Sequence, residues 1–239
     1  MADLNTIGKN LDRIKAQITL AAAKDQRAPQ NITLLAVSKT KPVSDIISAY
    51  QSGQRDFGEN YVQEGVEKIQ ALQDYSDILW HFIGPLQSNK SKIVAENFDW
   101  IHSIDRFKIA KRLNDQRPAS LPPLNVCIQV NIDSDDNKSG VIPDQTGELL
   151  EQMQSLKQLK LRGLMTIPKA NQQQNELEAS FAKMHSLYES LKRKFTTFDT
   201  LSMGMSGDLA LAIKQGSTMV RIGTAIFGQR TKKQSIDDV

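Results

Sequence analysis

Short apolar runs of strand length alternate with amphipathic helical segments along almost the whole chain, and this alternation limits the possible folds most strongly. Eight such strand-and-helix units can be assigned along the 239 residues. Parallel strands joined by helices form right-handed crossovers, and eight units are the number that closes a (β/α)8 barrel. We therefore predict an α/β fold, a TIM barrel in which residues 1–239 form a single domain with a frayed tail at 231–239. A doubly wound open sheet is the alternative.

The predicted strands are short and apolar, whereas the predicted helices repeat apolar residues every three or four positions. The strands cover 34–37, 55–60, 79–83, 100–104, 124–132, 161–167, 198–203 and 219–222. The helices cover 3–24, 44–53, 62–72, 90–96, 105–114, 144–157, 175–194 and 208–214. The first helix precedes the first strand, so we expect it to pack on the outside of the barrel. Ser44 is the predicted N-cap of the second helix.

The composition argues against several classes of protein. The formal net charge of +3 is too small to indicate nucleic-acid binding, and the apolar fraction of 39% is ordinary for a soluble protein. No run of about 18 apolar residues predicts a membrane span, and the charged N-terminal segment does not resemble a signal peptide. The single cysteine, Cys127, lies in an apolar run and is predicted to be a buried thiol. We expect a cytoplasmic monomer with neither nucleic acid nor membrane as a partner.

Polar residues end most of the predicted strands. In a TIM barrel the carboxyl ends of the strands meet on the face that carries the functional site. The residues at these ends are Lys39, Asn60, His81, Ser103, Asn131, Thr166, Ser206 and Arg221. Lys39 is the most informative, because it follows a strand that is predicted to be buried on both faces. For Asn60, Ser103 and Asn131, helix capping is an equally good interpretation.

Small residues follow the seventh and eighth strands, where barrels often bind phosphate. The segment 203–208 (MGMSGD) leads into a helix, and the segment 221–224 (RIGT) closes the eighth strand. Gly204, Gly207 and Gly223 would let backbone N–H groups approach an anion closely. Ordinary turn formation explains the same glycines, but their place in the barrel favours a phosphate site.

A phosphate site opposite a strand-end lysine predicts a phosphorylated aldehyde cofactor such as pyridoxal 5'-phosphate (PLP). A lysine amine forms a Schiff base only when it is neutral, and burial or nearby cations such as Lys41 or Arg221 would lower the pKa of Lys39. If Arg221 faces the pyridine nitrogen, it would not stabilise a protonated ring as a carboxylate would. That arrangement predicts poor transaminase chemistry. No metal site is predicted.

Several motifs of the chain resemble those of the pyridoxal phosphate homeostasis proteins, also called the proline synthetase co-transcribed protein family. They span nearly the whole chain in the same order. They are 34–41 (LLAVSKTK), 57–64 (FGENYVQE), 80–92 (WHFIGPLQSNKSK), 162–165 (RGLM), 202–206 (SMGMS) and 220–228 (VRIGTAIFG). This family is similar in fold to the N-terminal barrel domain of alanine racemases, in which a lysine of the first strand holds the cofactor.

The resemblance implies roles for individual residues. Lys39 is expected to form the Schiff base with PLP, and Ser206, Gly223 and Thr224 are expected to hold its phosphate. Arg221 resembles the arginine beside the cofactor ring, and a contact with the phosphate is the alternative. The other residues expected to line the pocket are Asn60, His81 and Met203 or Met205.

The resemblance also implies a function. Such proteins are expected to buffer PLP or deliver it to apo forms of PLP enzymes, in vitamin B6 homeostasis, without being classical enzymes. Racemases of this fold carry a second acid/base, a tyrosine from an added domain or partner chain, which we do not expect here. Tyr61 could replace it, so a weak PLP-dependent amino-acid racemase or decarboxylase is the alternative. A barrel enzyme that acts on sugar phosphates through a Schiff base is a third interpretation.

Overall fold

Eight parallel strands form a closed barrel in the computed structural model, which describes residues 4–229. The strands are β1 (Thr33–Val37), β2 (Asp56–Glu59), β3 (Leu79–Phe82), β4 (Trp100–Ile104), β5 (Leu124–Gln129), β6 (Leu159–Met165), β7 (Thr200–Ser202) and β8 (Met219–Ile222). Each strand pairs with the next, and β8 pairs with β1, with Leu35 opposite Arg221. β1 and β8, the first and last strands within residues 4–229, are therefore neighbours.

Helices surround this barrel and bury their apolar faces against it. They are α1 (Leu4–Lys24), α2 (Val43–Gln51), α3 (Val62–Ala71), α4 (Ser91–Asn97), α5 (Phe107–Gln116), α6 (Pro143–Met153), α7 (Gln174–Lys192), α8 (Leu209–Lys214) and α9 (Thr224–Phe227). Strand and helix side chains share one hydrophobic cluster, which is the main core. None of the helices within residues 4–229 is both long enough and apolar enough to cross a bilayer.

The N-terminal helix α1 packs on the outside of the barrel, as the sequence predicts. It lies against α2, α8 and α9, and it buries Ile7, Leu11 and Ile14 at helical spacing. Asn10 Nδ2 also donates a hydrogen bond to Ile226 O (2.9 Å), which ties α1 to the last turn of the described chain.

The predicted (β/α)8 class is confirmed, and the differences concern the ends of elements and the short helix α9 after β8, which was not predicted. β5 ends at Gln129 because Asn131 N donates to Val141 O (2.9 Å), outside the barrel ladder. The predicted N-cap at Ser44 is wrong, because α2 begins at Val43 directly after the extended Pro42. The predicted tail at 231–239 lies outside the described residues. Cys127 is buried, as predicted.

Gly163 in β6 is required by the close approach of β7. A Cβ atom at this position would lie 1.7 Å from Thr200 O, a backbone atom that cannot move without shifting the strand. We expect Gly163→Ala to lower the free energy of unfolding by about 3 kcal/mol, as overpacking does. Chemical denaturation would measure this. Gly147→Ala in α6 is the control, because its Cβ would meet nothing closer than 3.8 Å. This variant should stabilise the helix by about 0.5–1 kcal/mol. Equal stabilities of the two variants would contradict the prediction.

Candidate functional site

Most of the predicted cofactor residues follow four strands that are consecutive around the barrel, β7, β8, β1 and β2, and so lie on one side of the barrel mouth. Arg221 lies within β8, and His81 lies within β3. Lys39 lies in the turn after β1, and Asn60 directly follows β2. Ser206 lies in the exposed loop after β7, and Gly223 and Thr224 directly follow β8. Lys39 is therefore placed between the carboxyl ends of β2 and β8.

Lys39 occupies a tight turn that is closed by a hydrogen bond from Lys41 N to Ser38 O (3.0 Å). Lys39 is half-buried. Lys41 Nζ donates to Phe227 O and Gln229 O (both 2.9 Å). The ammonium group of Lys41 is thus held at the end of α9, and its suggested influence on the pKa of Lys39 stays a prediction.

The loop after β7 is joined to strand β8 by a backbone hydrogen bond from Arg221 N to Gly204 O (3.0 Å). Gly204 has a φ of +96°, and a Cβ atom there would lie 2.5 Å from the Cβ of Ala212, so the position requires glycine. Met203 is buried, whereas Met205 is 43% exposed. Of the two methionines predicted near the pocket, Met205 is the one in the open part of the loop.

Arg221 carries a positive charge into the barrel interior. The residue is buried, and its Nη1 and Nη2 donate to Ser202 Oγ and Thr166 O, both at 2.8 Å. Burial lowers the pKa of Arg221 to about 10, so the guanidinium stays charged at neutral pH. Thr166 Oγ1 in turn donates to Val130 O (2.8 Å). The orientation of the guanidinium is therefore fixed from β7 and from the segment that follows β6.

A chain of hydrogen bonds leads from Arg221 through the barrel to its opposite end. Ser202 Oγ lies 3.3 Å from His102 Nδ1, and His102 Nε2 lies 3.0 Å from His81 Nδ1. His81 Nε2 lies 3.0 Å from Oδ1 of Asp56, the first residue of β2. The guanidinium can only donate and an ionised carboxylate can only accept. Every link is therefore satisfied when both imidazoles are neutral and carry their proton on Nε2.

His81 lies within β3 and not at the carboxyl end of the strand. It is the third of the four residues of β3, its side chain is fully buried, and its ring stacks on Trp100 with the centroids 5.2 Å apart. It reaches Arg221 only through His102 and Ser202. Strand alternation turns this side chain into the barrel, and its place in the pocket lining stays a prediction.

His102 is expected to make stability depend on pH. Burial, followed by the charges of His81 and Arg221, lowers the pKa of His102 well below its usual 6.5, so the folded protein keeps it neutral. Below about pH 6.5 the unfolded chain binds one more proton at this histidine than the folded protein does. The free energy of unfolding should therefore fall by about 1.4 kcal/mol for each unit by which the pH is lowered. Urea denaturation between pH 5 and 8 should show this slope, and His102→Gln should remove it. His185→Gln on the exposed face of α7 is the control; a slope unchanged in His102→Gln would contradict the prediction.

Asn60 has a buried acceptor, Oδ1, for which residues 4–229 supply no hydrogen-bond partner. Ser103 and Asn131, by contrast, are used within the fold. Ser103 Oγ donates to Gly84 O (2.5 Å), and Asn131 Nδ2 donates to Asp135 O (2.8 Å). Both therefore organise loops at the mouth. Of these three residues, only Asn60 has a buried polar atom without a hydrogen-bond partner within residues 4–229. A buried acceptor of this kind lowers the stability of the fold unless another molecule donates a hydrogen bond to it.

Ser202 and His102 are not among the residues predicted from the sequence. His102 is the central residue of β4, between buried apolar residues, and a polar side chain in the middle of a buried strand is a signal of an interior polar contact. For Ser202 no comparable signal exists, because a small hydroxyl fits many buried positions.

Comparisons with known proteins identify the family of the chain. The sequence profile of the alanine racemase N-terminal domain family matches residues 8–231. The chain is 55% identical over 231 residues to the pyridoxal phosphate homeostasis protein of Vibrio alginolyticus, covering 95% of this chain and 99% of that relative. The chain therefore belongs to the alanine racemase N-terminal domain family and, within it, to the pyridoxal phosphate homeostasis proteins.

Solved structures show the same barrel. PipY of Synechococcus elongatus PCC7942 with PLP bound gives a TM-score of 0.81 at 36% identity, covering 93% of this chain and 100% of PipY. An alanine racemase from Clostridium difficile 630 gives a TM-score of 0.76 at 14% identity, covering 98% of this chain and 58% of the racemase. At that identity the racemase shows only that the fold is shared.

Proposed function

We propose that this protein binds PLP at the barrel mouth through Lys39 and buffers the cofactor or delivers it to other proteins. The observation that carries the proposal is the place of Lys39 between β2 and β8, beside the loops that follow β7 and β8. The name of the V. alginolyticus relative and the PLP bound to PipY support it.

The residues at the mouth fit such a cofactor. Asn60 Oδ1 is a buried acceptor that needs a donor, and residues 4–229 supply none. Ser206 and Thr224 have exposed positions in neighbouring loops, where hydroxyl and backbone N–H groups suit a phosphate. Arg221 adds a buried positive charge beneath the same loops. An anionic ligand with a polar ring matches this set.

The residues have distinct roles in the proposal. When bound, PLP would supply an aldehyde, and Lys39 would hold the cofactor through its side-chain amine. Ser206, Gly223 and Thr224 hold the phosphate. Arg221 keeps its guanidinium in one orientation through Ser202 and Thr166.

Arg221 also supports a carrier rather than a catalyst of the transaminase type. A guanidinium against the ring nitrogen disfavours a protonated ring, and an unprotonated ring is a weaker electron sink. The neighbouring His102 is neutral, since burial lowers its pKa, and so it adds no acid at this end of the barrel.

A weak amino-acid racemase is the competing function, and Tyr61 is the observation that favours it. Of the four tyrosines in the chain, Tyr61 alone follows the carboxyl end of a barrel strand, and it is 54% exposed. Racemisation of alanine that is lost in Tyr61→Phe would support this function. We expect no such turnover, because an exposed phenol is not positioned for proton transfer.

The first experiment is the visible absorbance spectrum of the purified protein after incubation with PLP. Borohydride reduction and peptide mapping would then locate the modified lysine. We expect reduced cofactor on the peptide that contains Lys39. A protein that stays colourless and takes up no PLP would contradict the proposal.

Delivery has its own test. Free PLP and protein-bound PLP, at equal total concentration, would be compared for the rate at which they reactivate an apo PLP enzyme. Delivery predicts faster reactivation from the bound form. Equal rates would count against delivery and leave buffering as the function.

A cytoplasmic location and a monomeric state complete the proposal. Burial raises the pKa of the Cys127 thiol, so this cysteine is an unreactive core residue and suits a reducing compartment. Sedimentation at several protein concentrations would test the monomer.

A further inference from the structure

The turn that presents Lys39 contains a strained residue. Thr40 has a φ of +63°, in the left-handed region that β-branched residues rarely adopt. It follows Lys39 in a four-residue turn closed by Lys41 N and Ser38 O (3.0 Å), at a position that usually takes glycine or asparagine. Such a conformation persists only where surrounding contacts enforce it.

Contacts from outside the turn hold it at both ends. On one side Thr40 N donates to Glu64 Oε1 (2.5 Å). On the other side Ser38 Oγ donates to Glu59 Oε1 (2.6 Å), and Ser38 O accepts from Lys68 Nζ (2.8 Å). Lys39 therefore lies between Ser38, which is anchored to charged side chains of β2 and α3, and Thr40, which is anchored to a carboxylate of α3.

One ammonium group joins these anchors. Lys68 Nζ donates to Glu59 Oε1 (2.8 Å), to Glu64 Oε1 (2.6 Å) and to Ser38 O, which matches its three N–H donors. The Lys68 and Glu59 side chains are only 6% and 0% exposed, whereas Glu64 is 27% exposed. Glu64 and Lys68 are four residues apart in α3, so the helix itself sets their spacing.

We propose that Glu64 and Lys68 are positioning residues that hold the turn in the one conformation from which Lys39 reaches the cofactor. The proposal rests on the function assigned to Lys39 above. Neither residue touches the reacting atoms. They act through Thr40 and Ser38, and their effect is therefore on the rate of bond formation with Lys39 and on the local stability of the turn.

Glu64→Ala is the variant that tests this, because it removes the anchor of Thr40 and leaves the buried pair of Lys68 and Glu59 intact. Glu64→Gln keeps an oxygen acceptor in a side chain of the same shape, so it should retain the hydrogen bond from Thr40 N. Glu67→Ala, on the exposed face of the same helix, is the matched control. Circular dichroism and thermal melting of all three variants would confirm that they fold.

Two readouts separate positioning from general stability. In the cofactor-free protein, hydrogen exchange of the Thr40 amide, followed by NMR, should become roughly ten-fold faster or more in Glu64→Ala, since a bond to a charged acceptor is lost. With added PLP, the second-order rate of absorbance change should fall by roughly 100-fold, as a misplaced reacting group predicts. Glu64→Gln should recover most of both effects, and Glu67→Ala should match the parent.

Each result has one meaning. Faster exchange together with a slower reaction with PLP in Glu64→Ala alone supports the proposal. An unchanged rate with PLP overturns it, whether or not exchange changes. If borohydride fixes PLP on a lysine other than Lys39 in the parent protein, the proposed function itself fails, and the exchange data then still report whether Glu64 holds the turn.

Discussion

Replacing Lys39 by arginine is expected to abolish covalent attachment of PLP while keeping a positive charge in the turn. A guanidinium stays protonated at neutral pH and so offers no neutral amine to the aldehyde. The nearby lysines cannot take over. Lys41 Nζ is bound to Phe227 O and Gln229 O, and Lys68 Nζ is bound to its own three acceptors. The visible absorbance band should disappear, and borohydride should fix no cofactor on the barrel.

Lys41→Ala is the matched control for this variant. It removes the neighbouring ammonium group but leaves Lys39, so it should still be labelled by PLP and borohydride. Labelling of Lys39→Arg at the same yield as the parent would show that another lysine holds the cofactor. Residual non-covalent binding, measured by equilibrium dialysis, would report the contribution of the phosphate loops alone.

Lys68→Met is expected to lower the free energy of unfolding by about 3–5 kcal/mol, because it leaves a buried carboxylate without its counter-charge. Glu59 is fully buried, and its Oε1 accepts from both Lys68 and Ser38. Its other oxygen, Oε2, is buried without a partner among residues 4–229. Chemical denaturation at neutral pH would measure the loss.

The same variant should show a specific pH dependence. Burial raises the pKa of Glu59, so between its ordinary pKa in the unfolded chain and its raised pKa in the native state the native state binds more protons than the unfolded state. Stability from a protonated Glu59 is present at low pH and is lost as pH rises through this window. Lys68 lowers the pKa of Glu59, so its loss widens the pH range over which Glu59 is protonated in the native state but ionised in the unfolded state. Lys68→Met should therefore be less destabilised at pH 5 than at pH 8.

Two further variants complete this test. Lys92→Met breaks the exposed pair of Lys92 and Glu96 (3.7 Å) and should cost less than about 0.5 kcal/mol. The double variant Lys68→Met with Glu59→Leu removes both charges and should recover much of the stability. A cost for Lys68→Met no larger than that for Lys92→Met would contradict the prediction.

The barrel was predictable because its elements are local. Apolar runs of strand length and helical periodicity are properties of neighbouring residues, and β4 (Trp100–Ile104) and β8 (Met219–Ile222) lie where the pattern predicts them. The ends of elements were less predictable, because they depend on distant partners. β5 stops early since the chain returning at Val141 takes over its backbone bonds.

The partners of the polar residues inside the barrel could not be read from the sequence for the same reason. His102 and Ser202 are 100 positions apart, and Arg221 and Thr166 are 55 apart. No local pattern links such residues. The mouth was easier to place, because the fold alone brings strand ends together, whatever the side chains do inside.

The pairing of β1 with β8 means that the mouth is built from segments far apart in the sequence. Lys41 bonds to carbonyl groups 186 and 188 positions later, so this side of the barrel closes only when the most distant segments meet. Contacts of such long range are costly in chain entropy and are associated with slow folding. A chain without its last strand would carry Lys39 but not the loops after β8. Under the proposed function, a protein that holds PLP has therefore completed its folding, and occupancy of the mouth marks the finished barrel.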